Sequence, residues 1–232
     1  DIINEHIHNW HKKIVLKNIA KKKNMRVLDI GCGYGRLSMP VIDEYPETEV
    51  LGIDITETFV KFYQEMTKQK AILGTLESIP DEIGQFDYIL CVTVLMYSPE
   101  KNVLKSLQNL IKHLKPEGKL ILIEPQASNM SISRLFGIGN LIKKFLNKTG
   151  VDTGGRFFKR NEIENYIKAF DGTLESKSGL PFTTFCILPL NVIARICPRL
   201  VTIFILNMAS WFDNKLGLSG LPSLHYAYII KK

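Results

Sequence analysis

The chain has 232 residues, 45% hydrophobic and 23% charged, an ordinary composition for one globular domain with a buried core. Its net charge of +7 comes from scattered lysines, with one run at Lys21-Lys22-Lys23 and a pair at Lys231-Lys232. No basic face interleaved with aromatics marks a nucleic-acid surface. Cys32, Cys91, Cys186 and Cys197 form no Cys-x-x-Cys pair, which argues against zinc and predicts reduced thiols in the cytoplasm.

In chain order, residues 3–22 predict a helix, because Ile3, Ile7, Trp10, Ile14, Leu16 and Ile19 recur near helical spacing. The same stretch carries His6, His8 and His11; His6 and His8 point apart on a helix, which argues against a metal site. There is no signal peptide pattern, and the first residue is Asp1. Strand one is Arg26–Ile30, ending in Asp29-Ile30 and then Gly31, Gly33 and Gly35 at alternate positions. A helix follows to about Glu44. Glycine takes positive φ freely and lets a ligand press on the backbone at the end of a parallel strand. A dinucleotide fingerprint places its third glycine one residue later, and Asp29 would repel a phosphate. The turn suits a ligand carrying an ammonium or hydroxyls.

Strand two, Glu49–Asp54, ends in a second carboxylate about 20 residues past the turn, where an acid can accept both hydroxyls of a ribose. Thr56 predicts a helix cap, with the helix running to about Lys68. Strand three is Ala71–Leu73. Strand four is Tyr88–Val92, with Thr93 to Tyr97 at its C-terminal end. Ser98-Pro99 opens a helix that ends near Leu114, and strand five is Lys119–Glu124. Beyond Gln126, one or two helices are expected over Ser131–Lys148, and another from a cap at Asn161. Strand six is Thr173–Lys177, and strand seven, His225–Lys231, alternates like an antiparallel partner.

Between those strands, residues 182–212 are strongly apolar. Pro189, Arg195, Pro198 and Arg199 interrupt them, so helices at about Leu190–Cys197 and Leu200–Phe212 are expected rather than a membrane span. Such helices extend the core, wall an acceptor pocket, or touch a membrane surface.

Residues 27–125 resemble the core of the class I S-adenosylmethionine-dependent methyltransferases. The resemblance rests on Val27 to Gly35, Asp54, Gly74 to Pro80, Phe86 to Cys91, and Leu114 to Leu122, in that order. It implies an α/β fold: one doubly wound, mostly parallel seven-stranded sheet, order 3-2-1-4-5-7-6, the last strand antiparallel, with helices on both faces. It implies one domain over 1–232: a helix or lid in 1–25, a cofactor core in 26–125, and an acceptor-side half in 126–232 with a helical insertion at 182–222. The implied cofactor is S-adenosyl-L-methionine, contacted by Asp29, Gly31, Cys32, Gly33, Gly35, Asp54, Ile55, Thr75, Leu76, Glu77, Cys91 and Val92. Thr75 stands where the family often has an aspartate that binds the adenine amino group, and a hydroxyl accepts that bond more weakly.

Strand four is not followed by Asn/Asp-Pro-Pro-Tyr/Phe or by Pro-Cys, which argues against methylation of DNA. The expected acceptor is a small molecule, a glycan precursor, secondary metabolite or lipid-like compound, methylated on a hydroxyl. A base would take that proton. His11 and Glu124 are the candidates, with Tyr97 orienting the acceptor; His113 and His225 read as structural. Two alternatives remain. Asp54-Ile55-Thr56-Glu57 and Gly35-Arg36-Leu37 suggest a protein methyltransferase, and the fold also occurs in non-catalytic partner subunits.

Overall fold

A computed structural model describes residues 2–126, 155–170, 172–186, 199–216, 221 and 223–232. Seven strands form one sheet in the order β3-β2-β1-β4-β5-β7-β6. They are β1 (Arg26–Ile30), β2 (Glu49–Asp54), β3 (Ala71–Leu73), β4 (Phe86–Val92), β5 (Leu114–Pro125), β6 (Thr173–Gly179) and β7 (His225–Lys231). β7 runs antiparallel to both β5 and β6, and the β3-β2-β1-β4-β5 pairs are parallel. The described helices are α1 (Ile2–Asn18), α2 (Ser38–Glu44), α3 (Glu57–Thr67), α4 (Val103–Lys112), α5 (Glu162–Lys168) and α6 (Arg199–Leu216), besides a short helical segment at 181–186.

The sheet is covered on both faces, and its central strands are buried at nearly every position. Leu28, Ile30, Leu51 and Ile53 face Val103 and Leu107 of α4 and Ile163 and Ile167 of α5. Val27, Val50, Leu90 and Val92 face Trp10 and Ile14 of α1 and Val41 of α2. α3 lies on the α1–α2 side, where Tyr63 packs with Cys32, Val60 and Ala71. Gly52 leaves the room for Tyr63: a Cβ there would stand 3.0 Å from its ring.

Several boundaries differ from the sequence reading. α1 stops at Asn18, whose side-chain amide bonds back to the Ile14 carbonyl. β5 begins at Leu114 rather than Lys119: Leu114 pairs with Phe86, and the register then shifts before Tyr88 pairs with Lys119. Thr56 does not cap α3 with its hydroxyl, and Asn161, at φ +61°, does not cap α5. Ser98 turns its hydroxyl to Glu77 instead of capping a helix. The helices expected at 131–148 and 190–197 lie outside the described residues.

α6 is amphipathic in an unusual sense. Thr202, Leu206, Ala209 and Asp213 form its buried stripe. Asp213 accepts bonds from the backbone of Phe182 and Thr183 and from the Thr183 hydroxyl, fixing the 181–186 segment to the helix. Leu206 meets Ile3 of α1, and Ser210 bonds His6. The opposite face carries Leu200, Phe204, Met208 and Trp211, all exposed. No helix among the described residues is long and apolar enough to cross a membrane.

Candidate active site

The glycine turn after β1 is bound tightly to the end of β2. The Gly31 and Cys32 N–H groups both donate to the Ile53 carbonyl, at 2.7 and 3.1 Å. Gly33 N–H donates to Asp54 Oδ2 at 2.9 Å, and the other Asp54 oxygen accepts the Thr56 N–H at 2.9 Å. Three successive N–H groups are therefore committed inside the protein. None is free to cradle a pyrophosphate, an independent argument against a dinucleotide.

Gly31 has φ +66°, and a Cβ there would sit 2.3 Å from Val94 Cγ2. Gly33, at φ +51°, differs: a Cβ there would meet no protein atom within 4 Å. At Gly33 the open side is the one from which a ligand can approach the backbone. Ile55, next to Asp54, is 73% exposed, an apolar surface suited to one face of an adenine.

Asp29 lies behind the turn and is buried. It accepts the Ser38 hydroxyl at 2.6 Å, and Ser38 in turn accepts the Tyr63 hydroxyl at 2.9 Å. Burial pushes its carboxyl up to about 6, opposed by Ser38 and by the Arg36 charge. Of the other residues expected at the cofactor, Cys32, Leu76, Cys91 and Val92 are buried with their side chains in the core, so only their backbone is offered to a ligand. Thr75 is partly exposed and shares a 2.9 Å bond with Ser78. Glu77 takes the Ser98 hydroxyl at 2.8 Å.

Glu124 is buried at the end of β5. Its two oxygens accept the N–H groups of Val94, Leu95 and Met96 at 3.0, 2.8 and 3.1 Å. Burial raises its pKa to about 8 against those three donors. Both oxygens hold the turn after β4, and the side chain is buried. That turn places Thr93 at φ +58°, costly for a β-branched residue. Tyr97 stands exposed beyond it.

His11 is where the sequence pointed, but not alone. Beneath α1 lies a pocket of about 680 Å³, lined by residues that include Asn4, His8, His11, Tyr34, Arg36 and His225. Thr93 also lines it, so the pocket reaches the end of β4. His11 Nε2 and His225 Nδ1 are 2.8 Å apart, with the rings nearly coplanar at 10°. Arg36 Nη1 is 2.8 Å from His8 Nδ1 and 3.4 Å from His11 Nδ1. Burial and the Arg36 charge keep these rings neutral: His225 falls to about 4, and His11 lies well below its ordinary range, with His225 acting on it ahead of Arg36. The sequence reading set His225 aside as structural, and the structure brings it into this pocket beside His11. A signal was available: an antiparallel β7 brings its first residue opposite Pro125, beside the strand ends where open α/β sheets bind ligands.

A sheet of this order, a glycine turn clasped by an acid at the end of β2, and a pocket at the ends of β1 and β4 together define the class I S-adenosylmethionine-dependent methyltransferases. The family model described as a methyltransferase domain matches residues 21–150, and the chain belongs to that family. The chain is 32% identical over 110 residues to the cyclopropane-fatty-acyl-phospholipid synthase of Escherichia coli K12, covering 47% of this chain and 28% of that one. It is 28% identical over 137 residues to the demethylmenaquinone methyltransferase of Staphylococcus aureus MRSA252, covering 57% and 56%. The matches thus span little more than half of these curated relatives, or less. Among solved structures it resembles the cyclopropane synthase MmaA2 of Mycobacterium tuberculosis, with TM-score 0.66, 17% identity, and coverage of 95% of this chain and 83% of that one. It also resembles the magnesium protoporphyrin IX methyltransferase of Synechocystis PCC 6803 with bound SAH, with TM-score 0.59, 20% identity, and coverage of 76% and 78%. At those identities the likeness is one of fold.

Proposed function

We propose that this protein transfers the methyl group of S-adenosylmethionine to an oxygen of a small, lipid-like acceptor held beneath α1. The observation that carries the reading is the pocket joining the glycine turn, through Tyr34 and Arg36, to His11 and His225. The residues present fit the cofactor: Asp54 meets its ribose hydroxyls, Ile55 one face of its adenine, and Gly33 its close approach to the backbone. Ionised Asp29 favours its ammonium. The cofactor supplies an activated methyl group on a sulfonium.

The chain's own residues do the rest. Tyr34, Thr93 and the histidines bound the space in which an acceptor oxygen is held in line. Glu124 fixes the backbone that places Thr93. Arg36 donates to His11 Nδ1, so the His11 proton sits on Nε2 and donates to His225 Nδ1. His225 is left with a proton on Nε2. His11 then acts as a positioning residue that sets the tautomer of His225.

A lipid-like acceptor is supported by the names of the two curated relatives and by the outward face of α6. Leu200, Phe204, Met208 and Trp211, with Arg199 and Lys215 on the same helix, suit an interfacial contact with an anionic membrane. We place the protein in the cytoplasm, where Cys32, Cys91 and Cys186 stay as the free thiols observed.

Isothermal titration with S-adenosylhomocysteine tests the cofactor, and incubation of lipid extracts with methyl-labelled cofactor tests the acceptor. Micromolar binding and label in an organic-soluble product are expected. Absence of binding rejects methyl transfer, and label confined to protein rejects the small-molecule acceptor.

A further inference from the structure

Arg36 is in an unusual position for a guanidinium. It is half-buried, and among the described residues no carboxylate lies within 4 Å of it. Its bonds to described residues, to His8 and His11, both leave from Nη1 and end on neutral imidazoles, which cannot balance its charge. The Nε and Nη2 donors have no bond to a described residue. Glu5 is the one carboxylate among the pocket's lining residues, and it is exposed and forms no ion pair with Arg36. Asp29 is near enough to act on the guanidinium through space, but its described hydrogen bond is the one from Ser38. A half-buried cation whose bonded neighbours among the described residues are neutral gains from a counterion, and a guanidinium fork matches a carboxylate in shape and charge.

We infer that the pocket beneath α1 is a carboxylate receptor built on Arg36, with the His225 Nε2–H as a second donor. This rests on the methyl-transfer reading for its consequence but not for its binding chemistry. The carboxylate has two sources, the acceptor or the amino-acid end of the cofactor. If it belongs to the acceptor, the reaction needs no base. An oxygen lone pair of the carboxylate forms the new O–CH₃ bond, the C–S pair stays on sulfur, and the carboxylate and sulfonium charges cancel. The product is a methyl ester, and no proton moves. A pocket holding an arginine and a histidine arranged as donor suits that acceptor better than a neutral hydroxyl, whose proton would need a base.

The test compares wild type, Arg36→Gln and Arg36→Lys by calorimetry with S-adenosylhomocysteine and with 5′-methylthioadenosine, the same adenosine thioether without the amino acid. Sodium hexanoate is then titrated into the S-adenosylhomocysteine complex while the histidine ring resonances are followed by NMR. If the cofactor supplies the carboxylate, Arg36→Gln weakens S-adenosylhomocysteine by about 10- to 100-fold, as for a lost charge-assisted pair, and leaves 5′-methylthioadenosine unchanged. If the acceptor supplies it, both nucleosides bind Arg36→Gln as they bind wild type. Hexanoate then shifts the His11 and His225 resonances in wild type and in Arg36→Lys but not in Arg36→Gln. Either pattern supports the receptor, and retained 5′-methylthioadenosine binding shows that the variant is folded. Unchanged affinity for S-adenosylhomocysteine together with an unchanged hexanoate response in Arg36→Gln overturns it. If wild type binds neither nucleoside, the methyl-transfer reading fails alone, and hexanoate titrated into the free protein decides the receptor by the same criterion.

Discussion

The two ends of the site are built in opposite ways. At the cofactor end, the ligand surface is backbone, and each contact is short in sequence: Gly31 and Cys32 bond Ile53, and Gly33 bonds Asp54, all within about two strands. Beneath α1, the surface is side chain, and the decisive contact joins His11 to His225 across 214 positions. The first end fixes what the family has in common, an adenosine with a charged sulfur. The second is free to vary, because replacing His8, Arg36 or His225 leaves the sheet's hydrogen bonds intact. In the proposed function, specificity belongs to the end that the sheet does not depend on.

Substitutions can break this division. The largest effect is expected at His225. His225→Ala should lower kcat by about 100-fold, as for a lost hydrogen bond to a charged acceptor, with S-adenosylhomocysteine affinity within twofold of wild type. A matching loss of cofactor affinity would mean that the two ends are not separate. Asp54→Ala should do the reverse. Losing charged acceptors for ribose and for Gly33 N–H should weaken S-adenosylhomocysteine by about 100-fold while the circular dichroism spectrum stays native. An unchanged dissociation constant removes Asp54 from the site.

Glu124 sharpens the comparison, because it serves the acceptor end through backbone alone. Glu124→Gln places an amide N–H₂ against a backbone N–H and should cost about 1–3 kcal/mol in denaturant unfolding. A stability equal to wild type would show that the turn after β4 does not need the carboxylate.

Asp29 gives a smaller, pH-dependent effect. Its folded pKa is raised, so the ligand-free folded chain holds a proton that the unfolded chain gives up near 4. This contribution to stability is present at low pH and is lost as pH rises to about 6. A bound ammonium pulls the other way by favouring the ionised form. Cofactor affinity should therefore fall by up to about tenfold per pH unit below 6, and Asp29→Asn should flatten that slope. The smallest effect on folding is expected on α6. Phe204→Ser with Trp211→Ser should change stability by about 0.5 kcal/mol or less, yet reduce co-sedimentation with anionic vesicles. Undiminished sedimentation would detach α6 from the membrane.

The legibility of the site follows the same division. The strands, the glycine turn and Asp54 were readable because a tight turn and a buried strand are written in consecutive residues, while the strand order came from the family resemblance. Glu124 was read as a base from its place at the end of a strand. Sequence shows where a carboxylate stands but not that three N–H groups of another segment use both its oxygens. Arg36 was hidden for the same reason. It directly follows the glycine turn, and only the fold shows that its bonded neighbours among the described residues are neutral rings. α1 was legible as a helix, but its end was placed four residues late because Ile19 continues the apolar spacing after the helix has stopped.

The position of β7 between β5 and β6 has a consequence for how the chain leaves the ribosome. β6 is made first, but among the described strands its only neighbour in the sheet is β7. It must wait several seconds at synthesis rates of roughly 5–20 residues per second, with its edge open to other nascent chains. Glu175 and Lys177 lie within it, charges that make such an edge a poor template for aggregation during the delay. Synthesis of β7 then joins β6 to the sheet and brings His225 to the pocket in one event, after the strands that carry the glycine turn and Asp54 are already made.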